Sequence, residues 1–239
     1  MDTPLSPYPR KNLISKLDGT MTPMAAITDL AALPYAPYLQ PHTGELERGE
    51  HYSEIHLDGT DLDEPQATGA RFSESALTGL TATNATLTRA RLDDVWISRT
   101  RWIGGTWSET QMLNVTVLDS VLAGLQAYGS TWRRVTFQAC KIDSLNLRGS
   151  TLHDVEFRDC DLTEADFGDA TLTGVTFPGT TIRRARFSKA TLKKVDLRGA
   201  RDLDIAQGWD SLHGATITGI QLMESAHALA QTLGITVKD

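Results

Sequence analysis

The side chains that could do chemistry in this chain are few, and their spacing does not assemble them. Six histidines occur, His42, His51, His56, His153, His213 and His227. A metal site needs several such donors brought together by short, regular spacings. Only His51 and His56 stand close, five residues apart, and with no cysteine or carboxylate at ligand spacing they read as surface histidines. No CxxC pair, no HExxH and no phosphate-cradling glycine loop occurs. Gly104-Gly105 reads as a chain corner followed by a small filler, and Asp93-Asp94 as solvated acids. No catalytic residue, metal ligand or cofactor-binding residue is assigned, and the chain is expected not to be an enzyme.

What must position any functional residue is a repeat. From Leu57 to Leu197 every fifth residue is apolar, 29 in succession, with no insertion to shift the phase. A helix repeats its apolar face near 3.6 residues and a strand at 2, so a strict period of five belongs to neither. A short fixed repeat of this kind marks a solenoid. Most of the series is Leu, Ile, Val or Phe; Trp102, Trp107 and Trp132 are large for the slot, and Ala67, Ala82 and Ala127 underfill it.

Two positions before each large residue stand small or β-branched ones, for example Ala165, Ala170, Val175 and Ala185. A spacing of two on an extended chain puts both on one face. The residues flanking the large one, such as Asp161 and Thr163 around Leu162, then point outward. The fifth position must turn the chain, and ten of the twelve glycines in residues 55–200 stand there. Cys140 and Cys160 share the small slot, 20 residues apart, and read as reduced filler rather than a disulfide.

Ala-Asp-Phe-Gly-Asp (165–169), Cys-Asp-Leu-Thr-Glu (160–164) and Val-Asp-Leu-Arg-Gly (195–199) resemble the A(D/N)LXX motif of pentapeptide repeat proteins. The resemblance covers about three fifths of the chain. It implies an all-β fold, a right-handed quadrilateral β-helix with four pentads per coil and a little over seven coils, followed by a C-terminal α-helix. Charge spacing does not yield that coil size. Separations of 20 residues give seven opposite and two like charge pairs, and separations of 25 give nine and three.

Three regions follow: an irregular, proline-rich leader or N-terminal cap over 1–50, the β-helix over 51–200, and an atypical last coil with a helix and short strand over 201–239. The leader holds seven of nine prolines, with one short helical stretch expected near Met24–Leu33 and no order required of the first twenty residues. Met223–Leu233 reads as a helix whose apolar face is Leu222, Ala226, Leu229 and Leu233, serving either as a cap or as a contact with a second copy. Ile235-Thr236-Val237 could add the strand. No apolar run is long enough to span a bilayer and no signal peptide is evident, so the cytoplasm is the default location.

The surface is where function is expected. The solenoid, residues 55–200, carries 18 acids and 17 bases, although the whole chain has a net charge of −7. Charge is banded: Asp154 to Asp169 holds seven acids and one base, and Arg183 to Arg198 seven bases and one acid. Ladders between neighbouring coils would explain such bands. Outward apolar residues Trp96, Ile103, Leu118 and Val121 mark a partner surface. Leu222-Met223-Glu224 and Leu233-Gly234-Ile235 resemble the dimerising tail of quinolone-resistance-type members, which implies a protein partner, DNA gyrase or a related topoisomerase, and a homodimer with a part in antibiotic resistance. The alternative is a general scaffold for another cytosolic protein. Neither nucleic acid nor membrane is expected as a direct partner.

Overall fold

The computed structural model describes residues 29–238, and these wind into a parallel β-solenoid of about eight turns. Four pentads make one coil. Lys141, Ile142 and Asp143 pair with Val121, Leu122 and Ala123 on one side and with Asp161, Leu162 and Thr163 on the other. The register of 20 holds from the His51↔Arg71 pair to the Thr171↔Thr191 pair, which excludes 25. The first two faces of a coil share one strand bent at a corner, as in Arg91–Ser98. The third face is a three-residue strand such as Arg101–Ile103, and the fourth is joined by single bridges such as Thr86↔Thr106.

Corners adopt left-handed backbone, and glycine is not required there. Twenty non-glycine residues, among them Glu74, Asp94, Asn114 and Arg134, have positive φ. Gly199 alone of the ten corner glycines does not. The conformation costs an L-residue about 1–2 kcal/mol. It lets the corner amide reach the next coil: Gly59 donates to the Thr78 carbonyl at 2.9 Å and Asp119 to that of Gln138 at 3.0 Å. Gly105 is different. It fills the slot after a corner at φ +98, where an added Cβ would lie 2.5 Å from the Ala85 carbonyl oxygen.

The interior is a stack of like residues. Phe157 is fully buried between Phe137 and Phe177, its ring centroid 5.0 and 5.4 Å from theirs. Odd-sized residues compensate along a column: Ala82 is in register with Trp102, and Ala127 lies one coil on from Trp107. The small slots also carry hydroxyls. Thr110 Oγ1 and Ser130 Oγ lie 2.9 Å apart, and Trp102 Nε1 donates to Thr100 Oγ1 at 3.0 Å. Cys140 and Cys160 are free, buried and stacked in adjacent coils. The hydrogen bond shared with Cys140, followed by burial, pushes the Cys160 thiol up and keeps it protonated.

Both ends break the pattern. Leu46 and Tyr52 close the first coil, with the Tyr52 ring stacked on Phe72 at 5.0 Å and its hydroxyl accepting from the Glu47 amide at 2.7 Å. At the other end the register slips to 21 where Thr181 pairs with Asp202. Of the expected helix at Met24–Leu33, only a 3-10 turn at Leu30–Ala32 falls among the described residues; the remainder, like the first twenty residues, lies outside them. No strand forms at Ile235-Thr236-Val237, which extends beyond the last helix with Ile235 and Val237 exposed.

Phe157→Ala should destabilise the solenoid by ~3–5 kcal/mol in denaturant unfolding, because the ring's two stacking partners cannot close the gap. Gly105→Ala should cost at least ~1 kcal/mol. Gly149→Asn, at an open corner with nothing within 4 Å of an added Cβ, should change stability by less than about half of that.

Candidate interaction surfaces

The C-terminal cap is built to satisfy the last full coil. Its carbonyls at Leu197 and Ala200 face no further regular strand. Gln221 Nε2 donates to both, at 2.9 and 3.4 Å. Gln221 is held there by a capping box with Thr218, which starts helix α1 (Gly219–Glu224). The chain turns at Ser225 into α2 (Ala226–Thr232). The inward stripe is therefore Gln221, Ser225, Ala228 and Leu229. The sequence predicts one helix with Leu222, Ala226, Leu229 and Leu233 as either a cap or a contact with a second copy; instead the helix breaks at Ser225 and the capping falls to the inward stripe. Only Leu229 of those four packs on the core; Leu222 and Leu233 are 50% and 73% exposed, and Ala226 is exposed. The polar demand of the coil end, invisible in the apolar periodicity, decides which face turns in.

At mid-rod, two of the four residues expected to face outward are covered. Trp96 and Leu118 point outward from the second face but are each only 3% exposed, because Leu33 and Tyr35 lie on them, with Leu30, Ala36 and Leu39 alongside. Residues 29–39 thus form a strap outside the coils. It joins the solenoid at Gln40–Pro41, which pairs with Ile55 and His56. The signal for this is Leu30, Leu33, Tyr35 and Leu39, apolar residues interleaved with Pro34 and Pro37. Ile103 and Val121 sit half-buried on the third face, on columns two residues apart in adjacent coils.

Five of the seven acids in the band at 154–169 are paired across coils and two within their own strand. All seven acids from Asp154 to Asp169 have a partner. Arg148 reaches Asp166 at 3.5 Å and also Asp169; Arg183 meets Asp161, and Arg158 meets Glu156. Arg184 meets Glu164 at 3.0 Å, Arg201 spans two coils to Asp159 at 3.1 Å, and His153 lies 2.9 Å from Asp154. Straight pairs 20 residues apart are rarer than diagonal ones: Glu164/Arg184 forms, whereas Asp166/Arg186 and Asp169/Lys189 give way to Arg148. Each exposed pair contributes little. Among the described residues every ion pair falls within 148–201, leaving Asp61, Asp63 and Glu64 of the first coil without one.

A carboxylate column runs along the corner between the first and second faces, through Glu54, Glu74 and Asp94. Burial, then the neighbouring carboxylates, pushes both Glu74 and Asp94 above the ordinary carboxylate range. Asn114 bonds to Asp94 and in turn accepts from Arg134 Nε at 2.7 Å. Burial and the same acids also push the Tyr35 phenol up.

His51 and His56 lie on different faces and bond separately to hydroxyls, His51 to Ser73 at 3.3 Å and His56 to Thr78 at 2.8 Å. No group of three metal-ligating side chains is gathered among the described residues, and none of their helices is long and apolar enough to cross a membrane. An interior void between Phe72, Leu87, Leu92 and Trp107 is lined almost wholly by apolar side chains.

Raised carboxylates bind protons more tightly folded than unfolded, so their contribution to stability is present in acid and is lost as pH rises through the folded values. Asp94→Asn should raise the melting temperature at neutral pH and leave it nearly unchanged below the unfolded carboxylate pKa. Melting curves across that pH range check it; a uniform shift at every pH would contradict the electrostatic cause.

A pentapeptide repeat region model matches residues 130–204. Comparison with curated proteins returns no match. Among solved structures, trypsin-treated QnrB1, a plasmid-mediated fluoroquinolone resistance protein, is 19% identical, covering 79% of this chain and 100% of its own at a TM-score of 0.38. HetL, a pentapeptide repeat protein involved in heterocyst differentiation regulation in Nostoc sp. strain PCC 7120, is 17% identical, with 73% and 92% covered and a TM-score of 0.25. Rfr23 from Cyanothece 51142 is 16% identical, with 55% and 90% covered and a TM-score of 0.35. Residues 130–204 thus match a pentapeptide repeat region, and the same pentads, in unbroken phase and wound four to a coil, run back from that match to Leu57.

Proposed function

We propose that this chain is a non-enzymatic, cytoplasmic protein-binding rod that pairs with a second copy through its C-terminal cap and acts on DNA gyrase or a related topoisomerase. One observation carries the protein-binding reading. Of the eight large apolar side chains exposed among the described residues, six cluster after residue 219: Ile220, Leu222, Met223, Leu233, Ile235 and Val237. Soluble surfaces rarely gather apolar residues in this way unless something covers them. A second copy is the simplest cover, since a two-fold contact buries the same patch on both chains. The Leu222-Met223-Glu224 and Leu233-Gly234-Ile235 segments resemble the tail of quinolone-resistance-type members, and the topoisomerase reading rests on that resemblance. A scaffold without a topoisomerase role is the second reading. It is favoured by a coil surface that is nearly neutral, unlike duplex DNA with one charge per ~1.7 Å.

Light scattering on the eluting protein should give twice the chain mass of 26.1 kDa. Leu222→Asp combined with Met223→Asp should return it to the monomer with the solenoid's melting transition intact. In a gyrase supercoiling assay with and without a fluoroquinolone, inhibition or rescue at micromolar protein is expected. No effect at tens of micromolar would leave the scaffold.

A further inference from the structure

The strap over the second face is attached differently from every other part of the molecule. Backbone hydrogen bonds of Leu30–Leu39 run only within the strap, such as Ala36 to Leu33 and Leu39 to Ala36. The first bonds to the coils come after it, from Gln40 to the Glu54 carbonyl at 2.7 Å and from His42 to that of His56 at 2.9 Å. Leu33 and Tyr35 pack with Trp96 and Leu118 in one apolar cluster, and Leu30, Ala36 and Leu39 lie against it. The fit is incomplete: Trp96 Nε1 and Gln138 Oε1 are buried there without a hydrogen-bond partner. Gln138 is in register with Leu118, at the edge of the same strip.

The rim of this strip is also mismatched to its occupant. Glu54, Glu74 and Asp94 stack on successive coils, and among the described residues none has an ion pair within 4.0 Å. The strap brings them a phenol, Tyr35, which supplies no positive charge. Asp94 has the Asn114 amide, with Arg134 beyond it on the next coil. An apolar floor, a buried indole N–H without a partner among the described residues and an acidic rim only partly offset by Asn114 and Arg134 together describe a ligand that the strap only half resembles.

We propose that the second face around Trp96 and Leu118 is a docking groove for an extended protein segment carrying two apolar anchors and a lysine or arginine, and that the chain's own strap fills it until such a segment displaces it. Leu33 shows where an apolar anchor sits, and Tyr35 where the cation would lie, over Glu74 and Asp94. A tethered strap competes at an effective concentration in the millimolar range. A free segment therefore displaces it only by making a bond the strap lacks, and a charge-assisted hydrogen bond to the rim is that bond. The C-terminal pairing plays no part in this.

The test uses the full-length chain and fluorescein-labelled peptides of residues 29–42, one with the native sequence and one with Tyr35→Arg, read by fluorescence anisotropy. The arginine peptide should bind at least tenfold more tightly than the native one, weaken with added salt, and lose that advantage on a chain carrying Glu74→Gln and Asp94→Asn. Opening the groove with Leu33→Asp and Tyr35→Asp in the chain should tighten both peptides tenfold or more, and Trp96→Ala in that background should abolish binding. Equal binding of the two peptides, or binding that survives Trp96→Ala, overturns the proposal. Should the opened variant not fold, hydrogen exchange on the unmodified protein decides. Saturating arginine peptide must accelerate exchange at Leu33, Ala36 and Leu39, and unchanged exchange overturns the proposal.

Discussion

Each coil of this protein is held by the backbone of its neighbours, and that constraint governs everything else. The amide of Asp119 reaches the carbonyl of Gln138, and that of Lys141 reaches Ser120. Such bonds keep side chains in the same columns only while every coil contains the same number of residues. A single insertion between Leu57 and Leu197 would move every later side chain to the wrong column. The left-handed corners exist to serve this ladder. Residues as unlike as Glu74, Asn114 and Ala139 all adopt that backbone because the bonds between coils return what the conformation costs.

Exact stacking makes columns the unit of selection. A tryptophan is tolerated at position 102 because Ala82 lies beneath it, and the phenylalanines from 137 to 177 form a continuous stack because each ring finds the next about one strand spacing away. The same geometry acts outside. Most acids of the band at 154–169 meet arginines of neighbouring coils, and Asp154 and Glu156 meet His153 and Arg158 of their own strand, so the band is consumed in pairs. A charge band in a solenoid therefore reports on its neighbours in the stack before it reports on any partner.

The regular part of the fold was legible because five is a period that no other backbone supports. Coil size was not, since the ion pairs run diagonally: Arg148 to Asp166 and Asp169, Arg183 to Asp161. Charges compared at one fixed separation cannot distinguish 20 from 25 when long arginine side chains lean across columns. The two misread surfaces share a cause. Trp96 and Leu118 are outward by phase, yet a segment outside the repeat covers them. Leu222 and Leu233 follow an apolar helical spacing, yet the carbonyls of Leu197 and Ala200 call for a donor, and Gln221 supplies it. In both places a tertiary demand from outside the repeat overrides the local pattern.

Those exceptions are also where surface poorly matched to the chain's own packing concentrates. Over residues 148–201 the outward acids are largely held in ion pairs, so a partner there gains little by displacing water and existing pairs. At the C-terminal cap the chain exposes apolar side chains that its own packing has no use for, and beneath the strap it buries apolar and acidic groups that its own packing leaves imperfectly matched. A repeat perfectly satisfied by itself would offer nothing to bind. The places where this one departs from its period, its capped end and its covered face, are the places where free energy remains to be gained from another molecule.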